Sequence, residues 1–323
     1  MTVLCTAQKA SCLSVEELQS FYGKALPGTL ATVELSSNSQ DTFGYSVTWK
    51  DRMGATASKR SYNLLKFPKG YQLYCSSAYV TPSWRNLGHS VRVLQANQKL
   101  LQMISTNDEF PSIVILAGGA KTPGIGCRLE FDGRAIWGNF GYDFADNEGY
   151  PAIRWSKLRR GVSEVSEMQQ SFFEFASVRE NRLKIALSDA ELKHEVVTWH
   201  HPWNITRFES GGRLIGLDFL NSPYAEDWQG IYIQRSDFPG AAISRDYCSS
   251  ALERAEERRN KRIEVALQVL RESNTKRDAA LAISELKRLA DEETLETLVD
   301  IKQQNAALRP AIEEIISMIE RGS

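Results

Sequence analysis

Aromatic residues end at Tyr247. Every Trp, Tyr and Phe of the 323-residue chain lies at or before that position, and residues 249–323 carry none, with 28 charges in 75 positions. A segment so charged and so free of large side chains can bury only a narrow apolar stripe, which is the composition of amphipathic helices. The chain therefore divides into an aromatic-rich body, 1–247, and an all-helical segment, 248–323. Its length is about two domains' worth, and 42% apolar with 24% charged residues is the balance of a globular protein.

In the body, Ser14-Val15-Glu16-Glu17 matches a capping box, in which Ser14 and Glu17 satisfy each other's free amides at a helix start. The helix it opens ends near Pro27-Gly28. Thr29 to Leu35 and Phe43 to Lys50 alternate apolar and polar residues, with β-branched and aromatic enrichment, as half-buried antiparallel strands do. Tyr71 to Cys75 is a further strand. Thr81-Pro82 opens a helix placed at 83–105, with Val91, Leu94, Leu100, Leu101 and Ile104 as its apolar stripe. Ser112 to Ala117 is a short apolar strand, and Arg128 to Phe131 and Arg134 to Trp137 flank Asp132-Gly133 as in a type I′ hairpin. A helix at 163–177 and strands near 182–188, 212–219 and 229–234 complete the body, with a break near 155–163 that can separate two subdomains. The expected fold class is α+β: a mixed, mostly antiparallel sheet with flanking helices, followed by the helical segment. That segment holds about four helices, broken at Asn274, at Asp291 and between Asn305 and Pro310, with Asp291 suited to an N-cap and Pro310 to a first turn.

Thirty-nine basic against 40 acidic side chains leave no net field to draw the chain onto nucleic acid, so no general nucleic-acid affinity is expected. Cys5, Cys12, Cys75, Cys127 and Cys248 are odd in number and never spaced as CxxC, which reads as reduced thiols. The N-terminus lacks a basic start with an apolar run, and no apolar stretch approaches the roughly 20 residues that cross a bilayer. A cytoplasmic protein without a membrane partner is expected.

Three features invite chemistry. The loop Gly118-Gly119-Ala120-Lys121-Thr122-Pro123-Gly124-Ile125-Gly126 follows an apolar strand. Gly118, Gly119, Gly124 and Gly126 let backbone N–H groups approach an anion, while Lys121 and Thr122 supply charge and a hydroxyl, so the loop is a candidate for a small phosphorylated ligand. Its spacing is neither a P-loop nor a dinucleotide fingerprint, and the bland alternative is a flexible connection or tight turn before the hairpin. The stretch Asp189 to His201 gathers three of the four histidines. Asp189, His194, His200 and His201 can ligate a divalent metal, and Glu191 with Lys193 forms an E-x-K pair after Ile185 to Leu187, in the manner of nuclease cores. The bland alternative is a solvated strand end beside a loop. Trp137, Phe140, Tyr142, Phe144, Tyr150 and Trp155 can line a pocket, although large aromatics more often fill a core. His89, in the helix placed at 83–105, has no evident partner.

Two functions follow. The first is a non-enzymatic binding, regulatory or adaptor protein without a cofactor, whose body takes a ligand or protein and whose C-terminal helices contact another protein. The second is a metal-dependent, nuclease-like hydrolase using the 189–201 acids and histidines.

Overall fold

A computed structural model describes residues 13–23, 25–38, 42–67, 70–105, 111–117, 133–147, 150–153 and 161–322. In chain order the elements are α1 (Val15–Gly23), β1 (Thr29–Asn38), β2 (Thr42–Asp51), β3 (Thr56–Phe67), β4 (Gly70–Val80), α2 (His89–Ile104), β5 (Ser112–Ala117), α3 (Gly133–Asn139) and β6 (Asp143–Phe144). Then come α4 (Val165–Ser177), α5 (Arg179–Arg182), α6 (Asp189–Val197), α7 (Pro202–Thr206), α8 (Ile215–Leu220) and β7 (Trp228–Ile233). The chain closes with α9 (Pro239–Glu272), α10 (Ala280–Leu289), α11 (Leu295–Gln304) and α12 (Arg309–Gly322). The seven strands form one mostly antiparallel sheet in the order β1-β2-β3-β4-β5-β7-β6, with β4 and β5 parallel. The α+β class is as the sequence implies.

Contacts divide the chain into two compact units: Met1–Asn63, Ser76–Leu100 and Ser249–Ser323 in the first, Leu64–Cys75 and Leu101–Cys248 in the second. One cut falls inside α9. In the first unit, the Ser14 box forms as its spacing requires: Glu17 N–H donates to Ser14 Oγ at 3.1 Å and Ser14 N–H to a Glu17 carboxylate oxygen at 2.8 Å. β1 and β2 pair antiparallel from Thr29 opposite Asp51, with a bulge between Leu35 and Ser37. Tyr45, Val47 and Trp49 of β2 face inward beside Tyr22 of α1. The Tyr22 hydroxyl lies 2.9 Å from that of Tyr45 and donates to Asn97 Oδ1 at 2.8 Å, and Trp49 Nε1 donates to Tyr22 O at 3.1 Å. This core is thus aromatic, with the polar tips of Tyr22, Tyr45 and Trp49 satisfied as buried Tyr and Trp prefer.

The aromatic-free helices bury their own leucine and isoleucine stripe, with Leu270, Leu286, Leu298, Leu308, Ile312 and Ile315 all at 0% exposure. Polar anchors tie them to one another and to an earlier residue of the same unit. Arg52 donates to Ala290 O at 2.6 Å, and Arg259 to Leu289 O at 2.5 Å and Asp291 Oδ2 at 2.6 Å. These guanidinium groups satisfy the open carbonyls at the C-terminus of α10, where positive charge is favoured.

In the second unit, Phe172 of α4 centres an aromatic core with Trp199, Phe208 and Phe219. Here the structure corrects three expectations. Residues 182–188 form no strand: Arg182 donates to Ile185 O at 2.8 Å and to Leu187 O, folding the segment back on itself, and Leu183 stands 79% exposed. Residues 212–219 hold helix α8, not a strand. Ile215, Leu217 and Phe219 match a period of two, yet Ile215, Gly216, Phe219 and Leu220 are the buried set, at helical spacing. A Cβ on Gly216 would come within 1.6 Å of Ile205 O, so only glycine admits this helix approach. Arg134 to Trp137 lie in helix α3 rather than a hairpin arm, while Arg128 to Phe131 and Asp132 fall outside the described residues.

Candidate functional site

The first turn of α2, in the first unit, brings a helix start and a buried cation together. After β4 ends at Val80, a 3-10 turn spans Pro82–Trp84, and the backbone passes through Asn86 at φ 65° and Gly88 at φ 73°. Asn86 is the one non-glycine residue at positive φ among those described. Asparagine tolerates that region better than most side chains, still at a conformational cost, and such outliers gather at ligand sites. The first backbone bond of the helix runs from Arg92 N–H to Gly88 O at 3.0 Å. The N–H groups of His89, Ser90 and Val91 are therefore left open at the positive end of the helix, and no acidic residue occupies the first turn.

Arg60 of β3 lies against this turn. It is 4% exposed, its Nη2 donates to Ser90 Oγ at 2.9 Å, and its Nε has no hydrogen-bond partner. Among the described residues no carboxylate pairs with it. His89 is 3% exposed, stands edge-on to Trp49 at 5.4 Å, and neither ring nitrogen is hydrogen-bonded. Burial, reinforced by the charge of Arg60, pushes its imidazole down to about 2, so His89 is neutral. An unsatisfied buried polar group costs about 1–3 kcal/mol, and a lone buried cation several. The buried guanidinium and the helix start thus add their positive potentials at one turn, and no described carboxylate pairs with Arg60.

A second centre, within the second unit, is fully paired. Asp143 opens β6 at 0% exposure. Its Oδ1 accepts from Phe144 N–H at 2.9 Å and its Oδ2 from the Tyr150 hydroxyl at 2.7 Å, and His201 Nδ1 lies 3.0 and 2.9 Å from the two oxygens. His201 precedes α7, where Asn204 Oδ1 accepts from its backbone N–H at 3.0 Å, and its ring stacks on Trp203 at 4.3 Å. Burial first, then the hydrogen bond and charge of Asp143, raise the Tyr150 phenol above its ordinary range, so it stays protonated as a donor. With Nδ1–H directed at the carboxylate, the Nε2 lone pair of a half-buried imidazole is left to accept a proton or hydrogen bond. Neither a protein-family model nor a curated protein matches this sequence.

The remaining residues singled out in the sequence are dispersed. The Gly118 to Gly126 loop, with Lys121 and Thr122, lies outside the described residues, as does Trp155. Residues 189–197 are helix α6. Asp189 pairs with Arg182 at 3.0 Å, and Glu191 closes a capping box with Ser188, whose N–H it accepts at 2.8 Å. Lys193 and His194 are exposed on that helix and His200 is exposed beyond it. Of the set, only His201 meets an acid across the fold, and that acid is Asp143. Among the described residues no group of three His, Cys, Asp or Glu side chains can hold a metal ion. Phe140, Tyr142 and Phe144 are core residues. The α2 turn carried one legible signal, a glycine placed between a strand and the start of a helix.

Proposed function

We propose that the chain is a ligand-binding protein, and that its ligand carries a phosphate taken by the first turn of α2. The observation that carries the reading is Arg60, buried without a described counter-charge against a helix start whose N–H groups are open. Phosphates favour such helix starts, because backbone donors and the helix dipole act on them together. The helix in question is also the crossover between the parallel strands β4 and β5, the kind of strand–helix turn at which phosphates are held in α/β units. In this reading the C-terminal helices contact a protein partner, for which α10 offers Leu281 at 87% exposure, and the protein works in the reducing cytoplasm.

The test is calorimetry and thermal melting of the full chain with inorganic pyrophosphate and a nucleoside diphosphate. Ligand at a hundred times Kd adds about 2.7 kcal/mol to stability, a shift of several degrees in Tm. Gly88→Ala should abolish it. No shift with any phosphorylated compound sinks the reading.

A second reading rests on the orientation of His201. A ring held through Nδ1 by a buried carboxylate is suited to general-base work, and such a base contributes typically 10²–10⁴-fold to a reaction. Hydrolysis of a substrate panel that is lost in both His201→Gln and Asp143→Asn would favour this reading; turnover surviving either change would remove it.

A further inference from the structure

Building on the phosphate reading, we infer that Arg92 is the side-chain cation that takes the ligand's charge, and that Glu256 of α9 occupies it as a built-in competitor while the site is empty. Arg92 sits one turn into α2. Its Nε is 3.7 Å from the position a Cβ on Gly88 would take, so the guanidinium lies alongside the turn itself. It is 31% exposed, able to swing, unlike the buried Arg60.

Its one described acidic partner is Glu256, with Nη2 3.5 Å from Oε2. That separation is long for a charge-assisted bond, which is ordinarily about 2.7–2.9 Å, and both groups are partly solvated. A pair of this kind contributes little, so a phosphate able to accept two N–H donors from Arg92 displaces the carboxylate readily.

Glu256 is held in place by its helix. α9 packs on the same turn, with Leu252 Cδ2 and Ala255 Cβ at 3.1 and 3.2 Å from the hypothetical Gly88 Cβ, and Arg262 donates to Ser83 O at 3.1 Å. Arg259, 3.8 Å from Glu256, is already bonded to Asp291 and Leu289 O and does not compete for the ligand. The C-terminal helices therefore set the affinity of the site: whatever draws α9 away removes the competitor, and bound phosphate removes a tie that holds α9.

The experiment is calorimetric titration of the full chain with inorganic pyrophosphate, comparing wild type, Glu256→Gln, Arg92→Gln and the double variant at one ionic strength. Glu256→Gln should bind about threefold tighter and Arg92→Gln at least tenfold weaker. The double variant should match Arg92→Gln, because without Arg92 there is nothing for Glu256 to release. Equal affinities for wild type and Glu256→Gln overturn the inference, as does a threefold gain that persists in the Arg92→Gln background, which would mark a general charge effect. A wild type that binds no pyrophosphate defeats the site itself, a separate result from either.

Discussion

Asp143 and Arg60 are both buried charges, and the fold treats them in opposite ways. Three donor groups converge on the Asp143 carboxylate, from Phe144, Tyr150 and His201. Arg60 has a single described acceptor, the Ser90 hydroxyl, and His89 near it has none. A buried ion whose partners are all protein groups is part of the architecture, and its function lies in what it orients, here the His201 ring. A buried ion left without a counter-charge raises the free energy of the protein, and an anion that reached it would recover part of that. Under the proposed function the two centres thus differ in when their electrostatics are satisfied: at folding for Asp143, on binding for Arg60.

The sharpest break of this comparison is Asp143→Ala, which strands the Tyr150 hydroxyl, the Phe144 N–H and the His201 ring. Loss of one member of a buried charged network costs about 3–5 kcal/mol, to be measured by chemical denaturation. A loss under about 1 kcal/mol would show the network to be slack.

Next in size is an acid response at His89. Its folded value, about 2, lies below the ordinary 6.5. Between those values the unfolded chain binds one more proton than the folded chain, so stability falls as pH falls below about 6.5, by roughly 1.4 kcal/mol per unit. From pH 7 to pH 5 the loss attributable to this residue is about 2 kcal/mol. His89→Phe keeps an aromatic edge toward Trp49 and should flatten the stability–pH profile by that amount; an unchanged profile would mean that His89 is not buried neutral.

Gly88→Ala sharpens the contrast at the backbone. The residue has φ 73° and its Cβ would touch Leu252 and Ala255, so the strain is about 1–2 kcal/mol. Melting temperature should drop and pyrophosphate binding vanish, with no effect on the His201 nuclear magnetic resonance signals.

What was legible in the sequence follows the range of the interactions. The Ser14–Glu17 box and the breaks between the C-terminal helices depend on residues a few positions apart, the β1–β2 pair on two strands adjacent in sequence, and all form. β3 escapes hydrophobic periodicity because its core face carries Ser58 and Arg60 among Tyr62 and Leu64; the same polar residues that hide the strand include the cation of the proposed site. α8 reads as a strand because Ile215, Leu217 and Phe219 alternate, and only its packing on Ile205 decides otherwise. Asp143 and His201 stand 58 positions apart, beyond any spacing rule, so His201 was visible as a candidate but its partner was not. Clustering along the chain pointed instead to Asp189, Glu191 and His194, which a helix carries into solvent or into its own cap.

The smallest expected effect has the most telling sign. Arg60→Met replaces a lone buried cation by an apolar side chain of similar length. Substituting hydrophobic residues for buried ions is often neutral or stabilising, and here no protein anion is left behind, since Ser90 is only half-buried and can turn its hydroxyl to water. Stability of the ligand-free protein should therefore hold or rise by about 1 kcal/mol, while pyrophosphate affinity falls because the positive potential beneath the turn is gone. Stability and binding moving apart in this way is the mark of a residue retained for a ligand. If instead Arg60→Met unfolds the protein as Asp143→Ala does, the guanidinium is a structural ion like Asp143 and the contrast between the two centres collapses.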